Sequence, residues 1–240
     1  MDLNRGLLAY LYPTGMPTWV YFGALLLVLL FAYLLGSINS AIIISKTLYH
    51  EDVRTKGSGN AGTTNMLRNY GNKAAFLTLL GDLMKTVVSI FIAGLVFGFY
   101  YVGGICINEI LYLAGLLSVV GHIFPVYYGF KGGKGVLSTA SMALILSPLP
   151  FLALLLVFIG VVAMSKYVSL GSVVVAILYP IALRGYFALV FEMEMNGFIT
   201  LSSVALACII FWCHRGNLKR IGERTERKIS FGKKPKDGEN

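Results

Sequence analysis

Long apolar segments separated by short polar stretches rich in glycine form the main pattern of the chain. A membrane-spanning helix needs about 20 apolar residues, and shorter or glycine-containing helices are tolerated where protein surrounds them. The pattern therefore predicts an all-α integral membrane protein that forms one polytopic domain over residues 1–240. The seven predicted transmembrane helices are Val20–Ser45, Ala74–Val102, Glu109–Gly121, Val136–Leu146, Phe151–Met164, Ser172–Leu189 and Gly197–Cys213.

Composition excludes an ordinary soluble domain, because 57% of the residues are hydrophobic, 13% are charged and the mean hydropathy is +0.75. The net charge of +9 does not indicate nucleic-acid binding, since the basic residues are scattered between apolar segments. The three cysteines lack CxxC spacing and are predicted to be reduced, structural thiols. The first 20 residues lack the pattern of a cleaved signal peptide.

Charge asymmetry predicts the orientation of the helices. If the loop after the first helix is cytoplasmic, the cytoplasmic segments hold 17 of the 20 lysines and arginines, and Lys85 lies within a helix. The positive-inside rule then places the N-terminus and residues 1–18 outside, and the basic tail 214–240 in the cytoplasm. Every polar, glycine-rich stretch falls on the cytoplasmic side in this topology.

The first of these stretches is GSGNAGTTNMLR, residues 57–68. Its glycines allow backbone N–H groups to turn towards an anion, its hydroxyls and carboxamides add donors, and Arg68 suits a phosphate. It is not a Walker A loop, because no Gly-Lys-Ser/Thr follows the glycines. The alternative is a flexible hydrophilic connector.

The second stretch, GHIFPVYYGFKGGKG at residues 121–135, places Lys131 and Lys134 on either side of a glycine pair at the start of a helix. Lysines beside a helix N-terminus favour an anion site. The alternative is that these lysines anchor a helix end at anionic lipid headgroups.

Two further stretches lie on the same side. Ser169 and Ser172 are expected to cap the sixth helix. In the tail, His214, Asn217 and Arg220 share one helical face, and histidine is suited to proton transfer at neutral pH. The alternative for the tail is a basic juxtamembrane segment.

Within the second helix, Asp82 and Lys85 are three positions apart, and we expect them to form an ion pair that holds helices together. The sequence shows no metal-ligand pattern and no GxSxG motif, so neither metal-dependent transfer nor a covalent acyl-enzyme is favoured. Direct transfer between two bound substrates remains, driven by positioning and charge.

From about residue 36 to residue 228, the three motifs GSGNAGTTNMLR, GHIFPVYYGFKGGKG and HRGNLKR…TERK resemble the bacterial acyl-phosphate:glycerol-3-phosphate acyltransferase family, known as PlsY. The resemblance implies a seven-helix membrane enzyme of phospholipid synthesis. Such an enzyme moves an acyl group from acyl phosphate to the 1-hydroxyl of glycerol 3-phosphate without a cofactor or metal, and the product is lysophosphatidic acid. Implied partners are membrane lipid and the soluble enzyme that forms acyl phosphate, and the implied location is the bacterial cytoplasmic membrane.

The resemblance also assigns site residues, whose numbers follow from the matching motifs. His214, Ser58 and Asn60 are expected to be catalytic. The expected substrate-binding residues are Thr64, Asn65, Arg68, Lys134, Ser169 and Asn217.

The chain departs from the family pattern at two places. Residues 36–40 read GSINS where many members have Ser-Ile-Pro, so the first helix is expected to lack its usual break. Arg224 replaces a glycine, which puts the turn of the tail in doubt. The alternative function is a membrane transporter of an organic phosphate, although such a transporter would favour polar residues at mid-membrane and a repeat between halves.

Overall fold

The computed structural model describes residues 4–102, 105–192 and 194–229. Within these ranges the chain is mostly helical, as predicted, with one short antiparallel hairpin of β1 (Tyr101–Val102) and β2 (Ile105–Cys106). Residues 1–3 of the predicted external segment and residues 230–240 of the predicted tail lie outside the described residues. The helices are α1 Gly6–Leu11, α2 Thr18–Gly36, α3 Ser40–Tyr49, α4 Thr63–Phe97, α5 Glu109–Ile123, α6 Val136–Leu146, α7 Pro148–Ser165, α8 Val168–Phe191 and α9 Gly197–Gly222.

Six segments of the described chain are long and apolar enough to cross a membrane. They contain α2 with α3, α4, α5, α7, α8 and α9. The fourth predicted helix is present as α6 with the expected bounds, but it has only 11 residues. At 1.5 Å per residue it is about 16 Å long, roughly half of the ~30 Å hydrocarbon core.

The first predicted helix is interrupted, so the expectation that GSINS removes the usual break was wrong. Helix α2 ends at Gly36, and α3 begins at Ser40. Asn39 caps α3, because its Oδ1 accepts a hydrogen bond of 3.0 Å from the backbone N–H of Ile42. An N-capping asparagine therefore starts a new helix at the position where the family pattern that the sequence resembles has proline.

Helix α4 starts earlier than predicted and ends earlier too. Gly71 has φ 83° and ψ −171°, which interrupts the helix and separates a short arm, residues 63–70, from the long apolar part. The helix ends at Phe97, because Gly98 adopts φ 92° and the chain turns into the hairpin. The arm holds the second half of the polar stretch, residues 63–68, which is helical and not a loop.

Helices α7, α8 and α9 also begin or end at positions other than those predicted. Pro148 begins α7, a position that proline favours because its missing N–H would be unpaired there. The expected caps at Ser169 and Ser172 were wrong, since α8 begins at Val168 and Tyr167 is its N-cap residue. Helix α9 continues nine residues beyond the predicted end at Cys213, so the first part of the predicted tail is helical.

A buried group of the side chains Asp82, Lys85 and His122 joins three parts of the fold. Lys85 Nζ lies 3.0 Å from Asp82 Oδ1, which confirms the predicted ion pair, and both side chains are almost fully buried. The Lys85 ammonium also donates to the Ile38 carbonyl at 2.9 Å and to His122 Nδ1 at 2.8 Å. The break between α2 and α3 is therefore tied to α4 and to the end of α5.

We predict that Asp82→Asn lowers the stability of the folded protein by about 3–5 kcal/mol, because it leaves the buried Lys85 ammonium without its counter-charge. Thermal unfolding in detergent measures the loss. Glu223→Gln is the matched control, since the Lys219–Glu223 pair is exposed with 3.8 Å between its atoms, and exposed pairs contribute at most about 1 kcal/mol. Equal melting temperatures for the two variants would contradict the role of the buried pair.

Candidate active site

A cavity of about 970 Å³ lies among α4, α6, α7, α8 and α9. It brings together residues that are far apart in sequence. All nine residues expected to form the site line its wall: Ser58, Asn60, Thr64, Asn65, Arg68, Lys134, Ser169, His214 and Asn217.

Three helices begin at the wall of this cavity. The N-cap residues are Gly62 for α4, Gly135 for α6 and Tyr167 for α8, and none of them caps its helix with a side-chain hydrogen bond. The first N–H groups of a helix lack partners within the helix and form the positive end of its dipole. Three such ends directed at one cavity create a strong site for anions.

The first polar stretch folds into a tight loop in front of α4. Gly57 and Gly59 have φ of 58° and 71°, a conformation that favours glycine. Asn65, almost completely buried in the first turn of α4, holds this loop. Its Oδ1 accepts from the Ser58 N–H at 3.1 Å, and its Nδ2 donates to the carbonyls of Val53 and Lys56 at 3.1 Å.

Asn65 Oδ1 also accepts from Asn69 Nδ2 at 3.0 Å, so the hydrogen-bonding positions of the Asn65 amide are all used within the protein. Within the described part of the chain, the side chains of Ser58, Asn60 and Thr64 make no hydrogen bond and line the cavity. The Thr63 and Thr139 hydroxyls also line the cavity without a partner among the described residues, so all five side chains can donate to a ligand.

Arg68 lies on the same arm, one helical turn beyond Thr64. Its Nη2 donates to the Arg227 carbonyl at 3.3 Å, which leaves most donors of the guanidinium for a ligand. This contact also joins the arm of α4 to the tail after α9.

The Gly-Gly-Lys turn approaches the end of α5 so closely that only glycine fits. A Cβ at Gly132 would overlap the His122 carbonyl, and a Cβ at Gly133 would overlap the His122 ring. The Gly133 N–H donates to the His122 carbonyl at 3.1 Å. The buried ion group thus supports the turn that carries Lys134.

Lys134 reaches the cavity wall and donates to Asn217 Oδ1 on α9. Burial lowers the pKa of Lys134 to about 8, with Glu226 opposing this shift and Arg220 and Arg68 adding to it. A bound dianion would favour the charged form of this lysine.

Glu226 is the centre of a polar network, although it was not among the residues expected to form the site. Its carboxylate accepts hydrogen bonds from Asn217 Nδ2 at 2.6 Å, Arg220 Nε at 2.7 Å and Ser169 Oγ at 3.1 Å. Burial raises its pKa, but these hydrogen bonds outweigh burial and the net pKa is lowered. The available signal was the placement of Glu226 among basic residues, within the run ERTERK at residues 223–228.

The turn of the tail is present although arginine replaces glycine. Arg224 adopts φ 58°, the left-handed conformation that the usual glycine would take. The N–H groups of Thr225 and Glu226 then donate to the Arg220 carbonyl at 2.8 and 3.1 Å. This turn brings Glu226 back over the end of α9.

His214 is almost fully buried and is oriented by its own helix. A carbonyl can only accept, so the 2.8 Å contact between His214 Nδ1 and the Ile210 carbonyl places a proton on Nδ1. In the neutral ring, Nε2 then keeps its lone pair. The ring is therefore oriented to accept a hydrogen bond from a ligand.

Below its polar end the cavity is apolar. Its wall there consists of side chains from α6, α7 and α8, namely Leu137, Ala140, Ala143, Leu144, Phe151, Leu154, Leu155, Phe158, Val175, Ala176 and Tyr179. An anion site that continues into an apolar groove suits a ligand with a phosphate at one end and a hydrocarbon chain at the other.

Residues 26–224 match the family model described as glycerol-3-phosphate acyltransferase. The chain belongs to this family. It is 42% identical over 200 residues to the glycerol-3-phosphate acyltransferase of Clostridioides difficile, which covers 82% of this chain and 92% of the relative. The corresponding enzyme of Chlorobaculum tepidum is 37% identical over 231 residues and covers 87% and 98%.

Solved structures agree with the family assignment. The chain resembles the crystal structure of PlsY (YgiH), an integral membrane glycerol 3-phosphate acyltransferase, in its glycerol 3-phosphate form, with a TM-score of 0.75 and 33% identity. The lysophosphatidic acid form gives a TM-score of 0.72 and 32% identity, and both comparisons cover 87% of this chain and 96% of the other. This chain is therefore an integral membrane acyltransferase of phospholipid synthesis.

Because Lys134 loses its charge near pH 8, we predict that the affinity for a phosphate monoester falls at alkaline pH. Methyl phosphate is a suitable probe, since the second pKa of a monoester is about 6 and its own charge stays constant above pH 7.5. A bound dianion holds the lysine protonated, so the affinity should fall on the order of tenfold between pH 8 and pH 9.5. Equilibrium dialysis measures the change.

Lys134→Arg should bind with an affinity that is independent of pH in this window, because arginine stays charged. Lys131→Arg is the matched control, since Lys131 is exposed in the same turn and does not line the cavity. If the fall persisted unchanged in Lys134→Arg, Lys134 would not be the titrating group.

Proposed function

We propose that the protein transfers a fatty acyl group from acyl phosphate to the 1-hydroxyl of glycerol 3-phosphate and releases lysophosphatidic acid and phosphate. The observation that carries this proposal is one cavity in which three helix N-termini and several cations lie at the end of an apolar groove. Such a cavity has room for two phosphate groups at its polar end and one hydrocarbon chain below. An acyl phosphate is already activated, so the reaction needs no nucleotide, coenzyme A or metal.

The roles of the polar residues follow from their positions. Ser58, Asn60 and Thr64, with the N–H groups at the start of α4, would bind the phosphate of the acyl donor. Arg68 and Lys134 would neutralise the two phosphate groups by charge-assisted hydrogen bonds. In this proposal Asn65 acts indirectly, because its amide is already committed to the loop.

Residues of α8 and α9 would hold the acceptor. Asn217 lies between Lys134 and Glu226, and Ser169 donates to Glu226 from the opposite helix. We propose that Asn217 and Ser169 position glycerol 3-phosphate with its 1-hydroxyl towards the acyl carbon. Glu226 would fix the amide of Asn217 in the orientation that this requires.

In the reaction step, the oxygen of the 1-hydroxyl attacks the carbonyl carbon of the acyl phosphate. A new C–O ester bond forms, the C–O bond to the phosphate breaks, and the electron pair of that bond leaves with the phosphate. Cations and helix N-termini around the leaving phosphate stabilise the charge that develops on it. Both substrates are held in place, so the step avoids the entropic cost of an encounter in solution.

The proton of the 1-hydroxyl has two candidate acceptors, His214 Nε2 and the phosphate of the donor. We propose that the proton passes to the phosphate of the acyl donor, whose second pKa is near 6 by analogy with monoesters, and that it leaves with this phosphate. The anhydride is reactive enough that only weak base assistance is required. His214 would then accept a hydrogen bond from the hydroxyl and orient it.

For the membrane arrangement, we propose seven helices in a bacterial cytoplasmic membrane, with residues 1–18 outside and the basic tail in the cytoplasm. The distribution of lysine and arginine supports this orientation. Helix α6 would enter from the cytoplasmic side, and α7 would return to it. The polar end of the cavity then faces the cytoplasm, where glycerol 3-phosphate and a soluble enzyme that makes acyl phosphate are available.

The donor assignment predicts that purified protein makes lysophosphatidic acid from palmitoyl phosphate and glycerol 3-phosphate in EDTA, with one phosphate released per product. Palmitoyl-coenzyme A should give no product.

Arg68→Ala should lower kcat/KM on the order of 10- to 100-fold, because a charge-assisted contact to phosphate is lost. Arg215→Ala is the matched control, since Arg215 stacks on Trp212 outside the cavity. Efficient turnover of the coenzyme A ester would refute the assignment.

The proposed path of the proton predicts that His214→Gln mainly raises KM for glycerol 3-phosphate, because the amide still offers a hydrogen bond. The acidic limb of the pH–rate profile should remain, since it belongs to the donor phosphate. Steady-state kinetics between pH 5 and pH 9 separates the alternatives. A fall in kcat of about 10²- to 10⁴-fold together with loss of the acidic limb would identify His214 as the general base instead.

A further inference from the structure

The apolar groove ends at Tyr179. On α8 the lining residues follow one helical face from Ser169 through Ser172 and Ala176 to Tyr179. Helix α8 continues for three more turns to Phe191, but none of its described residues beyond Tyr179 lines the cavity. The groove therefore ends inside the protein while the helix that forms its wall continues.

The Tyr179 side chain is held in place at this end. The residue is only 4% exposed, and its Oη lies 3.1 Å from Ser147 Oγ. Ser147 Oγ donates to the Ala143 carbonyl at 3.1 Å, so the tyrosine hydroxyl is the donor to Ser147. Ser147 lies between the end of α6 and the start of α7, which means that the hydrogen bond attaches the Tyr179 ring to the corner between these helices.

Helix geometry gives the depth of the groove. Ser169 contacts Glu226 at the polar end, and Tyr179 is ten positions further along α8. At 1.5 Å per residue the distance along the helix is about 15 Å. Carbon–carbon bonds of about 1.5 Å advance an extended alkyl chain by roughly 1.3 Å per carbon, so about 12 carbons fit before the chain meets Tyr179.

We propose that the Tyr179 ring, held by Ser147, is the residue that limits the length of the acyl chain that the enzyme uses well. This proposal rests on the proposed function, since the chain is that of the acyl donor. Up to the end of the groove, each methylene that packs against its wall raises kcat/KM by at most about fourfold, the limit set by transfer from water. Carbons beyond that point must bend or leave the groove sideways between helices, and they contribute no comparable gain.

A substitution at Ala176, the next lining position towards the polar end, should shorten the groove instead of lengthening it. Ala176 lines the groove one turn above Tyr179, about 4.5 Å nearer the polar end, and is almost fully buried. A larger side chain there would shorten the groove without removing the tyrosine.

The test is kcat/KM for a series of acyl phosphates with 8 to 20 carbons and glycerol 3-phosphate. We expect Tyr179→Ala to move the preferred length to longer chains, with a gain in kcat/KM of at most about fourfold for each additional methylene that becomes buried. Ala176→Leu should move it to shorter chains. The second variant keeps the proposal testable if the first fails to fold.

Two variants separate the bulk of the ring from other effects. Tyr179→Phe keeps the ring and should keep the wild-type preference for chain length. Tyr112→Ala removes another fully buried tyrosine, whose hydroxyl contacts the carbonyl of Leu146 near the same corner but which does not line the groove. Its thermal stability should fall while its length preference stays unchanged.

The outcomes distinguish this inference from the proposed function. If wild-type protein acylates glycerol 3-phosphate from no acyl phosphate of any length, the proposed function fails. If it is active and both Tyr179→Ala and Ala176→Leu keep the wild-type length profile, the limit set by Tyr179 is refuted.

Discussion

Unpaired N–H groups at the start of three helices are the constraint on which the site depends. A helix end without a side-chain cap needs another partner, and α4, α6 and α8 all begin uncapped at the same cavity. At a membrane boundary such an arrangement is stable only where water or an anion can reach it. The glycines before α4 and α6 and the cations beside these helix ends fit a cavity that binds an anion.

The buried side chains Asp82, Lys85 and His122 hold together the elements that form this arrangement. Lys85 connects the break after α2 to α4, and through His122 to the end of α5. His122 in turn receives the Gly-Gly-Lys turn through its carbonyl and packs against Gly133. The charge network and the position of Lys134 are therefore mechanically linked, although Lys85 does not line the cavity.

The cavity is polar at one end and apolar at the other. Its polar end is lined by the tail, where the Glu226 carboxylate accepts hydrogen bonds from Asn217, Arg220 and Ser169. Its other end is apolar and stops at a buried tyrosine. A substrate with a charged head and a hydrocarbon chain can thus react at the head while the chain stays out of water, as an acyltransferase of membrane lipid requires.

Hydropathy and charge by themselves determined the helical membrane class and the positions of most helices, because these depend on local composition and spacing. The nine expected site residues came from the resemblance of three motifs to a known family, and all nine line the cavity. The interruption at Asn39, the network around Glu226 and the end of the groove at Tyr179 were decided by the tertiary structure. Each depends on contacts between distant segments, such as Ser169 with Glu226 or Tyr179 with Ser147. Helical periodicity shows which face of a helix is apolar, but the partner of that face follows only from how the helices pack.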